Sequence, residues 1–223
     1  MQTLSYTQEY YLCAVNDKGN PKSFKSDEVA ACLLVGGIAE LVEQGLIARD
    51  EKKRFVVVRP WDDSLPYLKP LYEALASFKK PKNIKGLAES YLLGLNHKLP
   101  DELMATIGAS LVAANCADEL TDQGLLKNKT RYAPKPEAVT RAIEKLRAEF
   151  LEEGVVADET LCLAAFLDKS GLIRDYFSKV EKETLKKRLR EVREREASAS
   201  VKQVLDEITA VYAVITITVN AVT

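Results

Sequence analysis

The most apolar stretch of the chain predicts its central helix. From residue 29 to residue 35 no polar side chain occurs, and a helix that is apolar on all sides must be surrounded by protein. Ser26 is a suitable N-cap ahead of this stretch, and polar residues return at Glu40. Gly45 stands where a left-handed C′ residue ends a helix. Much of the chain is therefore expected to pack around one buried helix.

Further periodicities predict a mainly α-helical fold. Segments 46–49 and 54–58 flank a charged turn and predict a β-hairpin. Helical spacing, or an amphipathic character, predicts further helices over 3–15, 72–78, 87–96, 101–123, 139–150, 161–167, 179–196 and 201–215. No long linker or low-complexity stretch divides the sequence into two domains. We therefore predict one domain over residues 1–223, helical around a buried central helix, with one or two small β-hairpins.

Three segments share a helix-stop pattern of acidic residues, glycine and an aliphatic pair, at Gly45, Gly124 and Gly154. An internal duplication would produce such a pattern, and so would the local physics of helix termination. The resemblance hardly extends beyond the stops, which favours the second explanation. The helix from residue 101 is accordingly predicted to end at Gly124.

Composition narrows the classes of function. The chain has 223 residues, and its 47% of hydrophobic residues is typical of a globular protein. Its net charge of −1 gives no overall electrostatic attraction to nucleic acid or to anionic membranes. Four cysteines without CxxC spacing have apolar neighbours and predict buried thiols in a reducing compartment. The first residues lack the features of a signal peptide, so a cytoplasmic protein is expected.

The residues offer little for catalysis. His97 is the only histidine and lies at a predicted helix end, where a solvated or capping role is usual. The sequence contains no GxSxG, P-loop or GxGxxG motif. We therefore expect a protein that is not an enzyme and that needs no metal and no cofactor.

Basic clusters are the remaining candidates for binding. They are Lys18, Lys22 and Lys25; Lys79, Lys80, Lys82 and Lys85; and Lys127, Lys129 and Arg131. Two clusters that converge could hold a phosphorylated headgroup. A helix followed by a hairpin also occurs in winged-helix DNA binders, but this helix is too apolar to be presented to DNA and the net charge is unfavourable.

Several motifs, in order, resemble the Golgi phosphoprotein 3 family. They are LCAVNDKGNPKSF, IAELVEQGLIARD, PWDDSL with YEAL, LTDQGLL, TRYAP and the C-terminal VYAVITITVNAV. The resemblance covers nearly the whole chain and is closest to short, bacterial-type members. It implies a single mostly helical domain that binds membranes peripherally through phosphatidylinositol 4-phosphate.

The resemblance also locates the family's headgroup residues. The family tryptophan falls on Lys25, the arginine of the buried helix on Leu34, and an arginine pair before the second glycine stop on Ser110 and Ala113. The leucine, serine and alanine that replace the arginines cannot hold a phosphate as a guanidinium does. The predicted lipid headgroup site is therefore Lys25, with Lys22, Lys18 and Arg131 as neighbours.

Three hypotheses follow. The leading one is a non-catalytic lipid-binding domain, cytoplasmic and peripheral on an anionic membrane. The second, favoured by the replaced arginines, is an adaptor that binds protein partners independently of lipid. The third and weakest is a winged-helix DNA binder, and nucleic acid is not an expected partner.

Overall fold

The computed structural model describes residues 3–22, 26–92, 98–122, 129–152, 154–195 and 197–222. Within them the helices are α1 Tyr6–Ala14, α2 Ser26–Glu43, α3 Lys69–Ser77, α4 Ile84–Leu92, α5 Lys98–Ala113, α6 Pro136–Leu151, α7 Asp158–Lys169, α8 Ile173–Tyr176, α9 Lys179–Arg195 and α10 Ala199–Val222. The strands are β1 Ile47–Arg49, β2 Phe55–Val57, β3 Ala117–Asp122 and β4 Lys129–Pro134. The predicted mainly α-helical fold with one or two small β-hairpins is confirmed, and the described residues form two antiparallel strand pairs.

Helix α2 is the centre of the molecule, as predicted. Its residues from Val29 to Leu41 are all buried, and helices α1, α3, α4, α5, α7 and α10 pack against it. Two glycines allow the closest approaches: a Cβ on Gly36 would lie 2.4 Å from the Thr7 hydroxyl of α1, and one on Gly37 would lie 2.8 Å from Leu71 of α3. Interhelical contact, rather than ligand access, explains this glycine pair. The helix begins at Ser26 itself, one residue before the start at Asp27 that an N-cap at Ser26 implies.

The end of α2 follows the predicted geometry. Gly45 adopts a positive φ of 71°, and the amide of Leu46 donates to the carbonyl of Leu41 at 3.0 Å, as in a left-handed helix stop. Strands β1 and β2 then pair in antiparallel register, with Ile47 opposite Val57. The first hairpin is confirmed.

The predicted end of α5 is wrong. The helix ends at Ala113, where Asn115 adopts a φ of 58° and the amide of Cys116 donates to Leu111 at 2.8 Å. Asn115 therefore takes the left-handed position after the helix that was predicted for Gly124. Gly124 itself lies outside the described residues. The following segment becomes β3, paired with β4 from Ala117↔Pro134 to Asp122↔Lys129.

The C-terminal helices complete the fold on one side of α2. In the charged helix α9, Leu185 and Val192 are buried while Val180 is 73% exposed, so this helix lies on the surface of α6 and α7. Helix α10 packs against α2, α4 and α7. Within the ranges that the structure describes, no helix combines the length and apolar character needed to span a bilayer.

Candidate functional site

The turn after α1 meets strand β4. Asn16 organises this turn, because its side-chain oxygen accepts from the amides of Lys18 at 2.9 Å and Asn20 at 3.1 Å. Gly19 has a φ of 70°, and a Cβ there would lie 2.6 Å from the Cβ of Arg131. Two of the predicted basic clusters therefore converge, since the turn that carries Lys18 contacts the strand that carries Arg131.

A cavity of about 270 Å³ lies beside this contact. Its walls come from α1 with the turn after it, the start of α2, the end of α4, the start of α5 and strand β4. The lining residues are Tyr11, Gly19, Asn20, Pro21, Ser26, Asp27, Ala30, Leu92, Pro100, Asp101, Met104, Ala105, Thr130, Arg131 and Tyr132. We call it the turn cavity. Its volume is in the range of a small polar headgroup rather than a whole lipid.

Tyr132 and Gly108 hold one wall of the turn cavity in place. A Cβ on Gly108 would lie 2.4 Å from the Tyr132 ring, so the tyrosine lies directly on α5. The Tyr11 hydroxyl donates to the carbonyl of Tyr132 at 3.4 Å, which ties the same strand to α1. Helices α1 and α5 thus fix β4, and with it Arg131, at the cavity.

The charges around the turn cavity are mixed. Arg131 is half-buried, whereas Asp27 and Asp101 are exposed, and all three line the cavity. The first turn of α2 also faces the cavity through Ser26 and Asp27, and the acidic residues of that turn, Asp27 and Glu28, offset the partial positive charge of the helix N-terminus. The site can therefore accept one anionic group, and its carboxylates can accept hydrogen bonds from hydroxyl or amine groups.

The predicted lysines have other roles in the described structure. Lys22 is half-buried: its Nζ donates to the Tyr176 hydroxyl and lies 4.6 Å from the centre of that ring, and burial lowers the pKa of this lysine. The Tyr176 hydroxyl in turn donates to the Cys13 carbonyl at 2.6 Å. Lys22 therefore connects the turn to α8 and does not line the turn cavity. Lys18 is exposed, and Lys25 lies outside the described residues.

Leu34 lies in the interior. It is 1% exposed and lines an apolar cavity of about 160 Å³ between α2, α3 and α4, together with Leu71, Phe78 and Tyr91. A leucine suits this environment, because an arginine there would bring a charge into an apolar wall.

Ser110 and Ala113 face a different, acidic cavity of about 560 Å³. The Ser110 hydroxyl accepts from the side chain of Gln8 at 2.9 Å, and Glu40, Glu43 and Glu159 line the same cavity. Three carboxylates repel a phosphate. This larger cavity is therefore no site for an anionic headgroup.

Glu40 is the buried carboxylate of that region. It is 5% exposed, accepts from the Thr7 amide at 3.1 Å and accepts from the Tyr67 hydroxyl at 2.6 Å. Burial raises the pKa of Glu40, while these hydrogen bonds oppose the increase. Because Thr7 lies in the first turn of α1, the carboxylate also satisfies an amide at the start of that helix. Its contacts are structural.

Another predicted basic residue, Lys82, makes its contacts within its own part of the fold. Lys82 donates to the Ser90 hydroxyl and lies 4.5 Å from the Phe78 ring. His97 falls outside the described residues. All four cysteines are free and buried, as predicted. Across the part of the chain that the structure describes, no group of three or more His, Cys, Asp or Glu side chains could hold a metal ion.

Sequence reasoning missed most of the turn cavity. Gly19 was part of the recognised DKG motif, but its contact with Arg131 joins positions more than a hundred residues apart. Asp27 and Asp101 stand at predicted helix starts, where acidic residues are common, and they are also part of the cavity wall. A left-handed asparagine at position 115, an uncommon but recognised C′ residue, was the one local signal for the correct end of α5.

Fold and site together define a mainly helical domain in which a buried central helix supports a small polar cavity at its start. The chain belongs to the Golgi phosphoprotein 3 family, whose sequence model matches residues 7–208. A search of curated proteins found no match to the chain.

Proposed function

We propose that this protein is a non-catalytic, peripheral membrane domain that binds an anionic phospholipid headgroup at the turn cavity. The observation that carries the proposal is the contact between the Gly19 turn and Arg131 beside a cavity of headgroup size. The family resemblance assigns headgroup binding to the DKG-type turn and to α5, and both line this cavity.

The corrected end of α5 supports this location. Ser110 and Ala113 were assigned to the family's arginine pair on a helix predicted to stop at Gly124, and they lie 14 and 11 residues before that glycine. The helix stop is nine residues earlier, at Asn115. The residues that lie 14 and 11 positions before Asn115 are Asp101 and Met104. Both residues line the turn cavity. We infer that these positions, rather than Ser110 and Ala113, correspond to the family's headgroup arginines.

Arg131 becomes the main cationic residue of the proposed site. It lies on β4 and lines the cavity, and a guanidinium can hold a phosphate through two parallel hydrogen bonds. Lys18, exposed on the adjoining turn, would add attraction to an anionic surface of about 1 kcal/mol near the membrane. Binding is accordingly expected to be weak and sensitive to salt.

An adaptor that binds protein partners without lipid is the second candidate. This alternative is favoured because Asp101 and Met104 occupy the inferred arginine positions, and neither side chain can bind a phosphate as an arginine does. The burial of α2 from Val29 to Leu41 argues against the winged-helix alternative, because that helix has no free face to place in a DNA groove.

Co-sedimentation with vesicles tests the proposal. Neutral phosphatidylcholine vesicles are compared with vesicles that contain a fixed share of anionic phospholipid, at low and at physiological salt. We expect retention on the anionic vesicles that decreases as salt increases. Retention on neither kind of vesicle, with recovery of a protein partner that is indifferent to added lipid, would favour the adaptor instead.

A further inference from the structure

The polar residues of the turn cavity are unusual for a site that binds a highly charged phosphate. They are Asn20, Ser26, Asp27, Asp101, Thr130 and Arg131. Two of them are carboxylates and one is a guanidinium, so the ionised side chains that line the cavity have an excess of negative charge. These lining residues favour a ligand with little charge and several hydrogen-bond donors.

The two aspartates disfavour a phosphomonoester. Such a group carries about −1.5 to −2 charges near neutral pH, in addition to the single charge of the phosphodiester that links a headgroup to its lipid. Asp27 and Asp101 lie in the same cavity wall as Arg131, and like charges at short range repel. One phosphodiester, in contrast, can be balanced by the guanidinium of Arg131.

The same aspartates favour hydroxyl groups. A carboxylate accepts hydrogen bonds only, and O–H···O⁻ bonds are among the stronger ones in proteins. Asn20, Ser26 and Thr130 can donate and accept, while Met104, Ala105 and the Tyr132 ring supply apolar surface. A polyol offers donors, acceptors and C–H faces at once, and therefore matches all three kinds of lining residue.

We propose that the turn cavity selects a polyhydroxylated headgroup with a single phosphodiester, of the phosphatidylinositol or phosphatidylglycerol type, over phosphatidylinositol 4-phosphate. This inference rests on the proposed function and specifies its ligand. Asp27 and Asp101 act as the selectivity residues: they accept hydrogen bonds from headgroup hydroxyls and repel an additional phosphate. Arg131 pairs with the phosphodiester.

The test uses the full chain and vesicles of equal total charge in the presence of a chelator, so that divalent cations do not bridge the carboxylates. The anionic lipid is phosphatidylinositol, phosphatidylglycerol, phosphatidylserine or phosphatidylinositol 4-phosphate. We expect phosphatidylinositol and phosphatidylglycerol to retain the protein about fivefold better than the other two, the size expected for two exposed charged contacts.

The double variant Asp27→Asn and Asp101→Asn keeps hydrogen-bonding capacity and removes both charges. We expect it to raise retention on phosphatidylinositol 4-phosphate about fivefold, with phosphatidylinositol changed by less than about twofold. Asp206→Asn, a neutralisation on the exposed face of α10, is the control and should change neither. Circular dichroism verifies that each variant is folded.

The outcomes separate this inference from the proposed function. Equal or better retention on phosphatidylinositol 4-phosphate by the unmodified chain, or a double variant with unchanged selectivity, overturns the selectivity and leaves lipid binding intact. Loss of retention on all four vesicles overturns both. Soluble glycerophosphoinositol distinguishes a lipid headgroup from a free ligand of the same chemistry. Its addition is followed through the NMR shifts of the backbone amides of the cavity residues. Shifts without any vesicle binding would assign the site to a free polyol phosphodiester and overturn the lipid proposal.

Discussion

Gly19 lies so close to Arg131 that a Cβ built on the glycine would stand 2.6 Å from the Cβ of the arginine. Its φ of 70° is in the left-handed region, where a side chain is strained. Both features place the turn after α1 directly against β4. The contact between these two residues therefore forms one side of the turn cavity.

The first prediction concerns this contact. We expect Gly19→Ala to lower the free energy of unfolding by about 1–3 kcal/mol, because the new methyl group meets Arg131 and the backbone strain adds to the clash. Urea unfolding measures the change. Gly86→Ala in α4 is the matched control, since a Cβ there would meet only Asn83 and Lys82, at 3.6 Å or more. It should be neutral or stabilising. Equal effects of the two substitutions would refute the role of the contact.

The ion pair between Arg49 and Glu207 joins the first hairpin to α10. Arg49 donates to both carboxylate oxygens, at 2.9 and 3.1 Å, and the two side chains are 17% and 10% exposed. We expect Arg49→Met to cost about 2–4 kcal/mol at neutral pH, because it leaves a mostly buried carboxylate without its partner. Replacing both residues by methionine should recover much of that loss.

Acid should also rescue the Arg49→Met variant. Burial raises the pKa of Glu207, and Arg49 lowers it, so removal of the arginine raises this pKa further. At a pH between the pKa of Glu207 in the unfolded chain and its raised pKa in the native state, the native state binds one more proton than the unfolded state. Stability therefore increases as pH falls through this range. A thermal unfolding series from about pH 8 to about pH 5 should therefore show a narrowing gap to the unmodified protein. A constant gap would contradict the explanation.

Tyr67→Phe tests the buried Glu40. The hydroxyl of Tyr67 donates to Glu40 at 2.6 Å, and its loss leaves the carboxylate with one donor fewer, which should cost about 1–3 kcal/mol near pH 8. Since burial raises the pKa of Glu40, protonation at lower pH should reduce that cost. Tyr72→Phe is the control, because its hydroxyl donates to the neutral carbonyl of Arg59 at 2.8 Å and its cost should not depend on pH in this way.

The buried thiols predict a loss of stability in alkali. Burial raises the pKa of Cys13 and of Cys32 to about 12, whereas thiols in the unfolded chain ionise near about 8.5. Between these values the unfolded state releases protons that the native state keeps, so stability falls as pH rises, by up to about 1.4 kcal/mol per pH unit for each thiol. The Cys32→Ala variant should show a slope smaller by one such contribution between about pH 9 and about pH 10.5. Identical slopes would show that this thiol ionises freely in the native state.

Local patterns were sufficient for α2, its stop at Gly45 and the hairpin after it, because each depends on residues close in sequence. The end of α5 was predicted wrongly because Asn115 replaces the expected glycine in the left-handed position. Segment 117–122 has a polar, helix-compatible sequence and becomes a strand only through pairing with β4. Nearby residues alone do not determine such a segment.

The candidate site was less predictable than the fold. Arg131 was named in advance, but Lys22 contacts Tyr176 through a packing arrangement that links α8 to the turn, and no spacing rule indicates it. The turn cavity draws its walls from five separate segments, and their convergence is a property of the tertiary structure. Motif order identified the family; the three-dimensional structure located the cavity.

Charge reversal at Arg131 tests the central claim most directly. Retention of Arg131→Glu on vesicles that contain phosphatidylinositol is compared with that of the unmodified chain. Arg190→Glu makes an equal charge change at an exposed position of α9 and is the control. Arg131→Gln is included because it disturbs the structure less than a charge reversal. We expect both Arg131 variants to lose retention about tenfold or more, because each removes the guanidinium contact to the phosphodiester, while Arg190→Glu loses about twofold or less through surface charge alone. Equal losses for Arg131→Glu and Arg190→Glu would mean that binding depends on net charge and would contradict a headgroup site at the turn cavity.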